Sequence, residues 1–464
     1  MKPHFYCPVL AEQLDEILVQ GQQTESHSPT TERKNQTVIQ TELIRDTKDL
    51  VRYSTDVGVA DNGRFLKGFS LRGVEGNRVG MSIDGVNLPD SEENTLYGRY
   101  GNFNPSRLSI DTELVRTIDI VKGADSVHSG SGACLAEGMP TKSRFINWSG
   151  LAGIDIQATE NWTLGYLLSS GYRLPTATER YFTFTNAYGT WKSNPDLKAE
   201  HSLSHNLFLK GESSLGVLDI ALYQSRYRDF LFEQESLIKQ TQYGRTFQTP
   251  MQQMVNVDNA KIHGIEIKAL LNVNQVLPVP KGIKFMATLG YSKGKLSNNA
   301  SLLSIQPMKV VLGLDYEDPQ GKWGIFSRLT YLAAKKAKDA KVFENKTRLV
   351  PSVCENSDNY WDDDDYGYYY GRSCDKKELY QAIDTYYLNK SAYIFDLFGY
   401  YKIKPNITLR AGVYNLFNRR YHTWDALRGI NANSTTNSVD RNGLGLERFY
   451  APGRNYSASI EMRF

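Results

Sequence analysis

The chain runs out through Asn455-Tyr456-Ser457-Ala458-Ser459-Ile460-Glu461-Met462-Arg463-Phe464, and the reading of this stretch decides the fold. In an extended strand Tyr456, Ala458, Ile460, Met462 and Phe464 fall on one face, and Ser457, Ser459, Glu461 and Arg463 on the other. Upstream, Val310, Leu312, Leu314 and Tyr316 oppose Lys309, Val311, Gly313 and Asp315, while Leu218, Ile220 and Leu222 oppose Asp219 and Ala221. A soluble sandwich gives the same alternation, so the connections must arbitrate. Short turns (Glu317-Asp318-Pro319-Gln320-Gly321, Lys404-Pro405-Asn406) alternate with long connections near 335–390 and 420–447. Phe395, Phe398, Tyr400 and Tyr401 cluster at strand ends, and Phe464 completes the apolar face of the last strand. These features predict an all-β membrane protein, an antiparallel transmembrane β-barrel. Segment counting gives about ten or eleven strands after residue 150.

Composition agrees by exclusion. The 54 basic and 51 acidic side chains nearly cancel, so no strong field steers the chain toward nucleic acid. Mean hydropathy is −0.46, and no apolar run reaches the 18 residues or so that a helical span needs. That excludes a helical transporter and leaves strands, which are apolar on one face only. The 29 tyrosines suit membrane-interface girdles and recognition loops alike. The start, Met1-Lys2-Pro3-His4-Phe5-Tyr6-Cys7, has no apolar core of leader length before Glu12, Asp15 and Glu16. An exported chain is therefore expected to start upstream, or to begin its mature segment near Leu10. No nucleophile motif or metal-ligand spacing occurs, so an enzyme is not expected.

Residues 1–45 are polar and read as a flexible arm with one apolar island at Glu16, Ile17, Leu18 and Val19. Such a segment can add itself as a strand to the sheet edge of a partner. Residues 46–133 carry short β-type runs punctuated by glycine. Leu66-Lys67-Gly68-Phe69-Ser70-Leu71-Arg72-Gly73-Val74 leads through Glu75-Gly76-Asn77-Arg78 into Val79-Gly80-Met81-Ser82-Ile83-Asp84-Gly85-Val86. Gly76 and Gly85 can take the positive φ of tight turns, and Asp84-Gly85 is a favoured turn pair. A second block, Val115-Arg116-Thr117-Ile118-Asp119-Ile120-Val121-Lys122-Gly123, gives another strand and turn.

The spacing of these two blocks resembles the plug of TonB-dependent outer-membrane receptors, a small mixed α+β domain that fills the barrel lumen. The island resembles a TonB box, by which the plug is pulled from the periplasm. Gly412-Val413-Tyr414-Asn415-Leu416-Phe417-Asn418-Arg419-Arg420-Tyr421 and Tyr450-Ala451-Pro452-Gly453-Arg454-Asn455-Tyr456 resemble the closing strands of receptors for haemoglobin, haemoglobin–haptoglobin and transferrin. Within that group, Lys322-Trp323-Gly324, Ala333-Ala334-Lys335-Lys336-Ala337-Lys338-Asp339, Thr423-Trp424-Asp425 and Asp196-Leu197-Lys198-Ala199-Glu200-His201-Ser202 look closest to the haemoglobin receptors. The resemblance covers about residues 10–133 and 165–464. It implies an outer-membrane protein that crosses the lipid many times and works with TonB. Haem from haemoglobin would be a transported ligand, not a resident cofactor. It also implies that plug arginines matching Arg72 and Arg78 meet carboxylates on the barrel wall.

Haem receptors of this kind carry two boxes, which here read Tyr172-Arg173-Leu174-Pro175 and Asn194-Pro195-Asp196-Leu197. The family's histidine between them is missing, which leaves Tyr188 and His201 as candidate haem ligands beside the reading of His201 as a lumen-facing residue with no metal role. Cys354 and Cys374 bracket an aromatic and acidic run from Asn359 to Tyr370 and form a candidate disulfide. Closing a loop of that size contributes about 3 kcal/mol in the chain-entropy model. The run Asp362-Asp363-Asp364-Asp365 lacks EF-hand spacing and reads as solvated charge. Cys7 and Cys134 have no evident partner motif.

The resemblance also has a gap. Plugged transporter barrels have about 22 strands, and the roughly 314 residues after Gly150 cannot hold that many with their connections. Residues 134–150 match nothing in the family, so 151–464 is expected to be the C-terminal part of an incomplete barrel. A smaller closed barrel of ten or twelve strands is geometrically allowed, with a lumen too narrow for the plug. Three functional readings follow: a receptor-transporter for haem iron, a surface-binding remnant that no longer transports, or a transferrin- or lactoferrin-type receptor.

Overall fold

A computed structural model of the chain describes residues 31–60, 68–83, 86–87, 115–122, 148–186, 189–242, 245–297, 301–340, 347–349, 380–382, 387–428 and 444–462. The expectations for Glu16 to Val19, Asp84, Gly85, Gly123, Tyr188, the four aspartates and all four cysteines, Cys354 and Cys374 among them, lie outside these residues.

The N-terminal body is built from short pieces. Strand β1 (Thr31–Asn35) pairs antiparallel with β6 (Thr117–Val121), β2 (Val57–Ala60) with β3 (Gly68–Leu71), and β4 (Ser82–Ile83) with β5 (Val86–Asn87). Two small helices, α1 (Gln36–Thr41) and α2 (Thr47–Leu50), start at Asn35 and Asp46, whose side chains accept from the backbone N–H of Val38 and Asp49. Ile39, Ile44, Leu50, Val51, Val57 and Ile120 close a private core. The flexible arm therefore does not extend to residue 45. Composition misled there because Thr-Glu-Arg-Lys-Asn of β1 has no apolar residue. Ladder bonds and the bidentate Arg33–Asp119 pair, 2.7 and 2.9 Å, hold it instead.

The remainder is one antiparallel sheet. In spatial order it runs β7 (Gly150–Thr159), β8 (Trp162–Arg173), β11 (Glu200–Ser213), β12 (Gly216–Gln242), β13 (Arg245–Asn272), β14 (Ile283–Leu296), β15 (Lys309–Glu317), β16 (Trp323–Leu332), β19 (Ala392–Lys404), β20 (Ile407–Tyr414) and β21 (Asn455–Met462). Two short strands, β9 (Phe184–Asn186) and β10 (Gly189–Lys192), hang on β13 through a parallel ladder, and β17 (Thr347–Leu349) pairs with β18 (Tyr380–Ala382) apart from the sheet. Eleven consecutive strands fit the expected count, and among the described residues β7 and β21 are free edges.

Alternation sorts the two faces as the sequence implies. Leu312 and Leu314 are exposed, while Val311 and Gly313 on the other face are buried, Val311 wholly so against Leu43 and Tyr53 of the N-terminal body. Leu222 is exposed, and Ala221 and Tyr223 are buried. Ile154, Ile325, Tyr456 and Ile460 continue the exposed apolar belt. An outer face that is greasy across many strands matches lipid as its solvent. No described helix is long and apolar enough to cross a membrane. The inner face, from β11 round to β21, holds the N-terminal body as a plug, with Phe398, Tyr414, Met286 and Phe326 joining its core.

Close approach sets one wall position. A Cβ on Gly290 would stand 2.6 Å from Thr55 Cβ and 3.1 Å from the Asp56 nitrogen of the plug. Gly290→Val should therefore push the plug off the wall at a cost of about 1–3 kcal/mol. Limited proteolysis should show faster cleavage within residues 50–60 while the wall stays protease-resistant; unchanged cleavage would contradict the close packing.

Candidate functional site

Plug and wall meet through buried charge. Leu71 and Val74 exchange both backbone hydrogen bonds, so Arg72-Gly73 is a two-residue turn with both φ values positive, 48° and 81°. Glycine accepts this freely, whereas arginine in that region is strained by about 1–2 kcal/mol. The strain aims the guanidinium at the wall. Arg72 Nε and Nη2 donate to Glu266 at 2.9 and 3.2 Å, and Nη1 donates to Asn206 Oδ1 at 2.8 Å and to the Lys122 carbonyl at 3.1 Å. The group also lies 4.0 Å over the Tyr223 ring. Six residues on, Arg78 repeats the scheme. It grips both oxygens of Glu200 at 2.8 and 2.7 Å, donates to the Leu231 carbonyl and covers the Phe230 ring at 4.1 Å. Gly76, at φ 66°, makes the turn between them. The wall carboxylates that the family resemblance implied are thus Glu266 and Glu200, each met bidentately.

Around Arg72 lies a second ring of charge. Lys122, 1 % exposed, donates to the Thr55 carbonyl at 2.6 Å and stands 3.6 Å from both Glu32 and Glu266. Asp56 accepts from Tyr223 and Ser292 of the wall, both at 2.9 Å. Glu32 of β1 faces Lys122, Lys268 and Lys34. Burial opposes its ionisation, but the three ammonium groups outweigh burial and hold the carboxyl down at about 2. Further along the wall, Lys309 donates to the carbonyls of Val51 and Arg52, and Tyr53 donates to Asp396 at 2.9 Å.

At the long-loop end three connections fold inward onto the plug apex. Ser304 donates to the Gly73 carbonyl at 2.6 Å and its own carbonyl accepts from Ser70. Trp424, on the short helix Trp424–Arg428, donates to the Leu303 carbonyl and is almost wholly buried. Lys335 donates to the Ile305 carbonyl and sits 5.0 Å over the Trp424 ring; burial pulls its ammonium down to about 8. Asp425 takes hydrogen bonds from Gln306 and Arg428, and Arg428 grips both oxygens of plug residue Glu75. Lys335, Trp424 and Asp425 come from stretches that the sequence singled out. Glu75 stood in the quoted turn stretch with no role assigned and Arg428 in none, since only the folded loops bring the two together.

The two haem-box stretches form a bracket. Pro175 and Leu197 are buried, and Tyr172 is half-buried in the ladder opposite His201. Arg173 pairs with Glu179, and Thr176 and Glu179 cap one another reciprocally. Arg180 donates to the Pro195 carbonyl, and Asn194 to that of Met254. These contacts explain the residues as loop closure. His201 lies on the β11 face shared with Leu203 and Leu207, opposite Glu200 and Asn206, which meet the plug. The lumen-facing placement expected for His201 is thereby corrected: strand alternation turns it outward. Leucines two and six residues on carried that signal. Among the described residues no cluster of His, Cys, Asp and Glu could hold a metal ion.

With this geometry in hand, comparison places the chain among known proteins. The family model described as TonB dependent receptor-like, beta-barrel, matches residues 123–416, and the TonB-dependent Receptor Plug Domain matches residues 24–135. The chain is 28% identical over 379 residues to Hemoglobin-haptoglobin-binding protein A of Haemophilus influenzae, covering 81% of this chain and 32% of that protein. It is 31% identical over 316 residues to the Hemoglobin and hemoglobin-haptoglobin-binding protein of Haemophilus ducreyi, covering 64% and 29%. The chain thus spans about a third of the length of these curated relatives. The siderophore receptor PirA from Acinetobacter baumannii superposes with a TM-score of 0.46 at 19% identity, over 68% of this chain and 41% of that one.

The Glu32 carboxyl makes the plug seam pH-dependent. Its folded value, about 2, lies below the ordinary 4.5, so its contribution is whole above pH 4.5 and is lost as pH falls from there toward 2. Protease protection of β1 should hold from pH 7 to 5 and fall below 4.5. Glu32→Gln should lower protection at pH 7 and flatten that acid limb; an unaltered acid limb in the variant would refute the assignment.

Proposed function

We propose, from the premise that the chain belongs to the TonB-dependent receptor family, that it acts in the outer membrane as a receptor for haem iron carried by haemoglobin. The observation that carries the reading is a plug tied at both ends. Its apex is joined to the outer connections by Arg428–Glu75, and its first strand, β1, follows directly on the N-terminal arm. Haemoglobin as cargo is supported by the relatives, which are named for binding haemoglobin or its haptoglobin complex.

In this reading the outer connections capture the carrier protein and haem passes toward the plug apex. Tension applied by TonB through the arm reaches β1 first. Peeling β1 from β6 withdraws Glu32 together with Lys34, leaving Lys122 and Lys268 short of a counter-charge in a dry seam. Such an uncompensated buried charge destabilises the seam by several kcal/mol, of order 3–5. The Arg72–Glu266 and Arg78–Glu200 grips then hold the rest of the plug against the wall while a path opens beside it. The protein makes and breaks no covalent bonds.

A second reading, a surface binder that no longer transports, is favoured by the free edges β7 and β21. Growth of cells lacking their own haem receptors separates the two. The receptor reading expects growth on haemoglobin as sole iron source when TonB is present and none without it. Haemoglobin retained at the surface without growth would establish the second reading. Retention of transferrin in place of haemoglobin in a parallel pull-down would make the chain a transferrin-type receptor.

A further inference from the structure

One carboxylate of the plug sits in a place that other elements build. Glu32, the second residue of β1, keeps only 14 % of its side chain exposed. Its Oε2 stands 3.6 Å from Lys122 Nζ and 3.9 Å from Lys268 Nζ. That oxygen is buried and takes no hydrogen bond among the described residues, so charge alone holds it. The other oxygen accepts from Ser54 and lies 3.9 Å from Lys34.

The two facing lysines are fixed without β1. Lys122 Nζ donates to the Thr55 carbonyl at 2.6 Å, and the Lys122 carbonyl accepts from Arg72 at 3.1 Å, so the grip of Arg72 on Glu266 also holds Lys122. Lys268 belongs to wall strand β13, two residues beyond Glu266 on the same inner face. Lys34 instead rides on β1, and its partner Glu42, at 3.0 Å, pairs with neither remaining lysine among the described residues. When β1 leaves, Glu32 and Lys34 go together. Arg72, Lys122 and Lys268 then face Glu266 and Asp56, three cations against two carboxylates. The vacated position lacks one negative charge, and ammonium groups in a dry seam favour a carboxylate there.

The position is also reachable. The Lys122 side chain is 1 % exposed, but that of Lys268 is 31 % exposed. From Lys268 the inner face continues through its ladder partner Asp219 to Lys210, beside the short turn between β11 and β12. We propose that the place held by Glu32, between Lys122 and Lys268, is a carboxylate-binding site that β1 fills at rest and that a carboxylate of the cargo fills when β1 is drawn out. This rests on the haem reading above, because haem carries two propionate groups and the site lies on the short-turn side of the Arg72 grip. Glu32 is in these terms an internal stand-in for a cargo propionate. The exchange keeps the seam in charge balance while the path is open, and it makes and breaks no covalent bond.

The first test supplies the missing side chain as a free ion and needs neither haemoglobin nor TonB, so its failure is distinct from failure of the haem reading. In the full chain, Glu32→Gly removes the carboxylate and leaves its space, whereas Glu32→Gln removes the charge and keeps the space filled. Hydrogen exchange of the β6 amides reports the seam, and that of the β12 amides reports the wall. Sodium propionate should slow β6 exchange in Glu32→Gly, about tenfold when it is present at about ten times its Kd. It should leave the wild type and Glu32→Gln unchanged, and Lys122→Met added to Glu32→Gly should abolish the rescue. No rescue, equal rescue by neutral propionamide, or rescue that survives Lys122→Met would each overturn the site. The cargo is tested by uptake in cells: Lys268→Met should slow entry of haem several-fold and leave entry of haem dimethyl ester and capture of haemoglobin unchanged. Equal loss for haem and its ester would overturn the role in cargo passage.

Discussion

Everything in this structure depends on two guanidinium groups kept out of water. Arg72 and Arg78 project from the plug, and each is answered by a wall carboxylate, Glu266 or Glu200, with both oxygens engaged. A buried charge without its partner is far more costly than the pair. The plug can therefore sit in one register against the wall and in no other. Apolar packing adds area to this arrangement, through Val311 and Phe398 against Leu43 and Tyr53, but it carries no direction. The ion pairs supply position. That Arg72 accepts a left-handed backbone to reach Glu266 shows which of the two demands wins.

The same logic explains why the two ends of the plug differ. At the short-turn end the contacts are lysines converging on Glu32, a residue of the strand next to the arm. At the long-loop end they are backbone carbonyls, a buried tryptophan and one guanidinium–carboxylate grip between Arg428 and Glu75. The first cluster breaks when a single strand leaves. The second is spread over three connections and yields only when the loops themselves rearrange.

The fold was legible because it is written in period two. Val311 and Gly313 buried while Leu312 and Leu314 stay exposed is what the alternation requires, and the turn glycine Gly76 stands where positive φ was expected. The partners of the plug arginines were not legible. Glu266 lies 194 residues from Arg72 and Glu200 lies 122 from Arg78, and nothing local marks either as a counter-charge. A faint signal existed in Ile265-Glu266-Ile267, where a carboxylate occupies the inner face of an otherwise apolar stretch. Strand β1 was missed because its stability comes from pairing, which leaves no trace in a polar pentapeptide. The boxes around Tyr172 and Asn194 were found by resemblance, and their contacts here are those of loop closure.

The seating of the plug stands or falls on the coupling between Arg72 and Glu266. A double-mutant cycle of Arg72→Met and Glu266→Gln, read by hydrogen exchange of the Phe69, Ser70 and Leu71 amides in the assembled protein, measures it directly. Each single variant should weaken protection strongly, and the double variant should recover part of the loss, giving a coupling energy of about 1.5–3 kcal/mol. Strictly additive losses, with no recovery in the double variant, would mean that the plug is held by packing alone and would contradict the account.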